Sequence, residues 1–189
     1  PANAIGELAR SKVRSMNVSD DYLVWDHTED ARLGSYFYES ATFPRKPQVV
    51  YDRKHSSITR ISIDEFPEEM YTSTRCFHVS GITLALCPEA RTCAVEMIKR
   101  FKQAGAMISF DVNFRLNLWT GAEAKECIEG ILPYVDIFFC SEDTARLTFL
   151  KEGSLEDIMR SFTKEYPVQI VASTQRVVHS PKQHSFGSV

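Results

Sequence analysis

Four short apolar runs in this chain each give way to a polar tail, and the tails hold most of the side chains able to do chemistry. After residues 75–79 come Ser80, Gly81, Ile82 and Thr83; after 106–110 come Asp111, Val112, Asn113, Phe114 and Arg115. After 135–139 come Cys140, Ser141, Glu142, Asp143 and Thr144; after 168–171 come Ala172, Ser173, Thr174, Gln175 and Arg176. Ligands of open parallel sheets bind beyond the carboxyl ends of the strands. Hydroxyls, acids, an amide and fixed cations gathered there suit a polar, oxygen-rich or anionic ligand. Arg115 is the sharpest of them, because its planar fork matches a carboxylate or phosphate. Its position alone allows equally that it pairs with a local acid or faces solvent. A second set lies earlier. Alternation over 34–39 puts Tyr36 and Tyr38 on one face, and over 48–53 it puts Tyr51 with Arg53. Two such strands form either a lid presenting hydroxyls and a guanidinium, or an ordinary sheet that packs its aromatics on a core.

The elements that must position these residues follow from periodicity. Apolar spacing predicts a helix over 4–16. Residues 22–25, 32–39 and 48–53 are rich in Tyr, Phe and Val and read as strands of a small, antiparallel β region. From residue 74 strands at 76–79, 106–110, 135–139 and 168–171 alternate with helices at 89–104, 121–131, 142–150 and 155–165, with Ser154 a fitting N-cap for the last. Such alternation predicts an α/β fold with a parallel sheet, right-handed crossovers and helices on both faces. The expected division is an α/β core of residues 1–19 and 61–189 and a β lid of residues 20–60.

Composition narrows the function classes. The 189 residues are 43% hydrophobic and 25% charged, with net charge −3, which describes an ordinary globular protein. Acids and bases are mixed along the chain, so no basic groove for nucleic acid is expected. No apolar run approaches a membrane span, and the first residues lack the apolar stretch of a signal peptide. Five cysteines at irregular spacings point to reduced thiols and a cytoplasmic setting, and no zinc pattern or other metal site is expected. There is no GxxxxGK[ST] loop, no GxGxxG and no HExxH. His78 lies within an apolar strand and is expected to be a hydrogen-bonded core residue. A start at Pro1 and an end in strand-like sequence lead us to expect a longer natural protein.

Four stretches together resemble the ribokinase-like, PfkB-type carbohydrate kinases. Leu33 to Phe37 with Val50 to Ser57 is similar to the lid of 2-keto-3-deoxygluconate kinases. Phe77 to Leu86 follows the family pattern at that strand end. Asp111, Asn113 and Arg115 with Leu118 and Trp119 resemble a segment shared by ketodeoxygluconate kinases and fructokinases, and this is the most specific match. Leu132 to Ile137 resembles the family's next strand.

The resemblance implies a three-layer sandwich with a small β lid, of which this chain is a part. It also implies ATP- and Mg2+-dependent phosphotransfer to the terminal hydroxyl of a small sugar acid, with 2-keto-3-deoxygluconate the leading substrate. A fructokinase or other PfkB-type kinase, or a non-catalytic sugar-binding descendant, are the alternatives. Carried over by position, Tyr36, Tyr51, Arg53, Ile82 and Arg115 would contact substrate, with the two arginines meeting its carboxylate. Ser141 and Thr174 would lie on the nucleotide side. Ser141 stands where many relatives carry Asn of an Asn-x-x-Glu motif, and both motif residues are changed here, so direct metal ligation at this point is not expected. The family's glycine-rich segment would precede Pro1, and its Gly-Ala-Gly-Asp motif, with the general-base Asp, would follow Val189. These 189 residues alone are therefore expected to be inactive. Relatives often clasp two lids, which implies a possible homodimer.

Overall fold

The computed structural model describes residues 1–42, 44–180 and 183–189, in two compact units, Pro1–Phe66 and Pro67–Val189. The first unit opens with helix α1 (Ala4–Ser15), whose start is capped by Asn3 accepting from the amides of Ile5 and Gly6. Strands β1 (Ser35–Glu39) and β2 (Gln48–Asp52) form a two-stranded antiparallel sheet in which Tyr36 stands opposite Tyr51. The antiparallel pairing matches the sequence reading. Residues 22–25, expected as a strand, form none. The reason is that this segment is tied to the helix. Ala2 N–H donates to the Asp26 carbonyl at 2.7 Å, the Arg10 guanidinium lies 5.8 Å from the Trp25 ring centre, and Trp25 packs beside Gly6. Two single-turn 3-10 helices, Ser57–Arg60 and Ile63–Glu65, complete the unit.

The second unit starts with α2 (Glu68–Ser73) and continues as β3 (Cys76–Ser80), α3 (Gly81–Leu86), α4 (Pro88–Gln103), β4 (Met107–Asp111), α5 (Gly121–Ile131), β5 (Ile137–Phe139), α6 (Glu142–Phe149), α7 (Leu155–Glu165), β6 (Ile170–Ala172), β7 (Thr174–Ser180) and β8 (Gln183–Ser188). Strands β3 to β6 form a four-stranded parallel sheet in sequence order. The alternation of strand and helix read from sequence is therefore present, and the fold is α/β. The Ser154 cap is present too: its hydroxyl accepts from Asp157 N–H while the Asp157 side chain takes the Ser154 amide.

The register separates two faces of this sheet. One row runs Val79, Phe110, Phe138, Val171 and carries the core. Phe138 meets Phe149 of α6 and Phe162 of α7 at 6.1 and 5.0 Å, and Phe77 stacks on Phe101 of α4 at 4.3 Å. Aromatic pairs of this kind contribute beyond the area they bury. The opposite face carries Met107, Phe139 and Ile170, all exposed. Buried Asp136 pins the sheet's amino end: its carboxylate accepts from Lys102 Nζ (2.6 and 2.7 Å), Ile108 N–H (2.8 Å) and Gln169 Nε2 (3.1 Å). A buried carboxylate persists when its lone pairs are taken up in this way. No helix among the described residues is long and apolar enough to cross a membrane.

Candidate functional site

In the first unit the hairpin presents an open aromatic face. Tyr36 and Tyr51 have ring centres 6.3 Å apart, and the Arg53 guanidinium sits 4.4 Å from the Tyr51 ring centre. Tyr36 is 66% and Tyr51 50% exposed, so these rings are not buried on a core. Stacking on Tyr51 holds the guanidinium without using its N–H donors. Among the described residues Arg53 has no acidic partner, whereas Arg10, Arg32, Arg45 and Arg60 of the same unit are each paired with a carboxylate. The fork is therefore open to an anion.

The backbone carrying Arg53 is closed into a polar turn. The Arg53 carbonyl accepts from Ser56 N–H (3.3 Å) and Ser56 Oγ (2.7 Å), and Ser56 is buried. Thr59 Oγ1 donates to the Ser56 carbonyl at 2.8 Å. His55 takes a left-handed backbone, φ 55°. The same unit holds an apolar cavity of about 850 Å3, lined by Val13, Leu23, Trp25, Leu33, Ile58 and Phe66 among others, with none of Tyr36, Tyr51 and Arg53 in its wall. Its wall also holds Arg10, Asp26, His27, Thr28, Arg60 and Glu65.

In the second unit the ends of β3 and β4 are locked together. Asn113 Nδ2 donates to Ser80 Oγ at 3.0 Å, and Asn113 N–H donates to Asp111 Oδ1 at 3.0 Å. Asn113 adopts φ 39°, a left-handed conformation that Asn tolerates better than most residues. Gly81 makes the junction possible: a Cβ there would lie 2.1 Å from the Val112 carbonyl oxygen. Ile82, expected in a loop, sits half-buried in the first turn of α3, because the chain after Ser80 turns directly into helix. Arg115 is exposed, and its Nη1 donates only to the Phe114 carbonyl at 3.0 Å, with no acidic partner among the described residues. Of the two alternatives left for it, pairing with a local acid is removed.

At the end of β5, Ser141 is the N-cap of α6: its hydroxyl accepts from Thr144 N–H (3.3 Å) and donates to Thr144 Oγ1 (2.8 Å). Asn and Ser are both strong N-caps, so this departure from the family motif keeps the cap. Glu142 is taken up by Arg146 at 2.6 Å. Cys140 is buried, and burial first, with the nearby Asp111 carboxylate second, pushes its thiol up to about 12, so it stays protonated and inert as a nucleophile. Thr174, expected in a loop, is the exposed first residue of β7 opposite Ser188, because β7 and β8 form an antiparallel hairpin immediately after Ser173. His78 Nδ1 lies 2.9 Å from Ser109 Oγ, so it is hydrogen-bonded as expected, but it is exposed on the open face of the sheet and not in the core. No group of three or more His, Cys, Asp or Glu able to hold a metal occurs among the described residues.

Sequence reasoning missed Arg32 and the structural roles of Gly81 and Asn113. Only Gly81 and Asn113 carried a local signal, the residue types that tolerate close approach and left-handed backbone.

A four-stranded parallel sheet with helices between its strands and a separate antiparallel hairpin place the chain among α/β proteins. The description "pfkB family carbohydrate kinase" matches residues 2–175, and the chain belongs to that family. It is similar to a solved PfkB family carbohydrate kinase from Listeria grayi, 34% identical with TM-score 0.87 over 98% of this chain and 58% of that one. It is also similar to 2-dehydro-3-deoxygluconokinase from Thermotoga maritima, 29% identical with TM-score 0.86 over 100% of this chain and 63% of that one. A 2-dehydro-3-deoxygalactonokinase from Haloferax volcanii is 28% identical over 93% of this chain. The chain spans 54% of that relative's length.

Proposed function

We propose that the protein containing this chain transfers phosphate from ATP, with Mg2+, to the terminal hydroxyl of a 2-keto-3-deoxy sugar acid, 2-keto-3-deoxygluconate being the leading substrate. The observation that carries the reading is the open state of two arginines. Arg53 and Arg115 each lack an acidic partner among the described residues, as do Arg75, Arg91 and Arg176, while the other arginines are paired. A carboxylate or a phosphate is the ligand such forks favour. The names of the Thermotoga maritima and Haloferax volcanii relatives support the same substrate class.

The residues proposed to contact the sugar acid are Tyr36, Tyr51 and Arg53 of the hairpin unit and Ile82 and Arg115 of the sheet unit. The arginines neutralise the carboxylate, and the tyrosines offer hydroxyls and a flat apolar wall to the carbon chain. Residues 20–60 serve as the lid, and 1–19 with 61–189 as the core. Ser141 and Thr174 are proposed for the nucleotide side. Ser141 would act by fixing the start of α6, because its hydroxyl is committed to the cap. ATP supplies the transferred phosphate, and no residue described here is assigned to Mg2+. We also propose a homodimer through the hairpin, whose Phe37 and Val50 are exposed on the face away from Tyr51. Sedimentation mass checks this: twice the chain mass is expected, and a single mass would count against it.

The test is kinetic. Full-length protein is offered 2-keto-3-deoxygluconate, its C4 epimer 2-keto-3-deoxygalactonate, and fructose, each with ATP and magnesium. We expect kcat/KM for at least one acid to exceed that for fructose by about 100-fold, the value of a charge-assisted contact. Preference for fructose overturns the sugar-acid reading.

A further inference from the structure

We infer that Arg32 is a positioning residue, which fixes the peptide group before Arg53 and the one after Lys54 and thereby aims the Arg53 guanidinium at an anionic substrate. The inference rests on the sugar-acid reading above.

Arg32 is threaded through the turn at both ends. Its Nη1 donates to the Lys54 carbonyl at 2.7 Å, and its Nη2 donates to the Asp52 carbonyl at 3.3 Å and to Asp52 Oδ2 at 2.6 Å. Its own carbonyl accepts from Ser57 N–H at 2.8 Å and Ser57 Oγ at 3.1 Å. Arg53 and Lys54 lie between those two clamped carbonyls, and the Arg53 carbonyl is held in turn by Ser56. Three consecutive carbonyls, those of Asp52, Arg53 and Lys54, therefore have fixed partners, and the backbone torsions of Arg53 are set from outside. Gly34 completes the arrangement. A Cβ there would lie 3.1 Å from the Arg53 Cβ and 3.5 Å from Ser56 Oγ, so a larger residue would press on the position being held.

The chemistry requires arginine. One planar fork reaches two backbone carbonyls and a carboxylate at once, while a lysine ammonium is a single point that satisfies one of them at a time. The clamp is a poor stabiliser of the fold. The Arg32 and Asp52 side chains are 35% and 55% exposed, and ion pairs in that setting contribute little. What it restricts is direction. The Arg53 side chain rests on the Tyr51 ring, and the hydrogen bonds of the turn hold the backbone that carries it.

The test uses the full-length protein and four variants, Arg53→Ala, Arg32→Lys, Asp52→Asn and the double variant Arg32→Lys/Arg53→Ala, with KM and kcat for the sugar acid, KM for ATP and thermal melting of each. The expected result for Arg32→Lys is a KM for the acid raised about tenfold, since small misplacements of a binding group are costly. Its kcat, its KM for ATP and its melting temperature should stay near those of the parent. Asp52→Asn loosens the same clamp with the fork in place, so a smaller rise of the same kind is expected, and it decides the matter if Arg32→Lys does not fold. In the Arg53→Ala background, Arg32→Lys should add nothing. If Arg53→Ala raises the KM for the acid while neither clamp variant does, the positioning role is overturned and the sugar-acid reading stands. If the clamp variants raise both KM values alike, or their effect persists without Arg53, the role is structural and the inference fails. If Arg53→Ala itself leaves the acid KM unchanged, the sugar-acid reading falls, and this inference with it.

Discussion

The hairpin unit and the sheet unit hold their candidate residues by different means. In Pro67–Val189 the strand ends are placed by packing: Phe110, Phe138 and Phe162 are wholly enclosed, and the loops leave a rigid layer. In Pro1–Phe66 the aromatic hairpin has both faces exposed, and Arg53 is placed by a knot of hydrogen bonds from Arg32, Ser56 and Ser57. Packed layers resist displacement in every direction, while hydrogen bonds fix direction at small cost in stability. The difference teaches that substitutions in the sheet unit should be felt in folding, and those in the hairpin in recognition.

The largest expected effect is at Phe138. It is fully buried against Phe149 and Phe162, so Phe138→Ala should destabilise the sheet unit by about 3–5 kcal/mol in denaturant unfolding. A loss below about 1 kcal/mol would mean that packing does not hold the strand ends. Next comes Gly81→Ala, where the new methyl would overlap the Val112 carbonyl, a backbone atom that cannot swing aside. A loss of about 1–3 kcal/mol is expected in the same unfolding measurement. A smaller effect concerns alkaline pH. The Cys140 thiol, raised to about 12 by burial, and the Tyr166 hydroxyl, raised to about 12 by burial and by Glu129, prefer their neutral forms in the folded chain. An acid whose folded value is raised adds stability that is complete below its unfolded value and is lost as pH rises toward the folded one. Stability should therefore decline between the ordinary thiol value of 9.0 and about 12, and Cys140→Ala should flatten part of that decline in chemical unfolding followed against pH. The smallest effect is at Tyr38, which is exposed on the hairpin, where Tyr38→Ala should change stability by no more than about 0.5 kcal/mol.

Much of the sheet unit was legible because its signals are local. Helical spacing of Ala90, Ala94, Met97, Ile98 and Phe101 marked α4, and the strands with their polar ends stood out as apolar runs. Serine before an acidic first turn marked the start of α7. What was not legible depended on distant partners. Residues 22–25 have strand composition, but Trp25 packs by Gly6, and no strand among the described residues pairs with the segment. Thr174 read as loop because Ala172, Ser173, Thr174 and Gln175 are small or polar, while its pairing with Ser188 decides its structure. Ile82 read as loop because a helix as short as Gly81–Leu86 has too few residues to show a period. Arg32 contacts residues 20 and 22 positions away and carries no pattern of its own.

The decisive comparison is between full-length protein and its Arg115→Ala variant, with kcat/KM measured on 2-keto-3-deoxygluconate and on fructose. The expected result is a loss of about 100-fold on the acid with little change on the neutral sugar, since only the acid brings a carboxylate to that guanidinium. Equal losses on both, or none on the acid, would contradict the account.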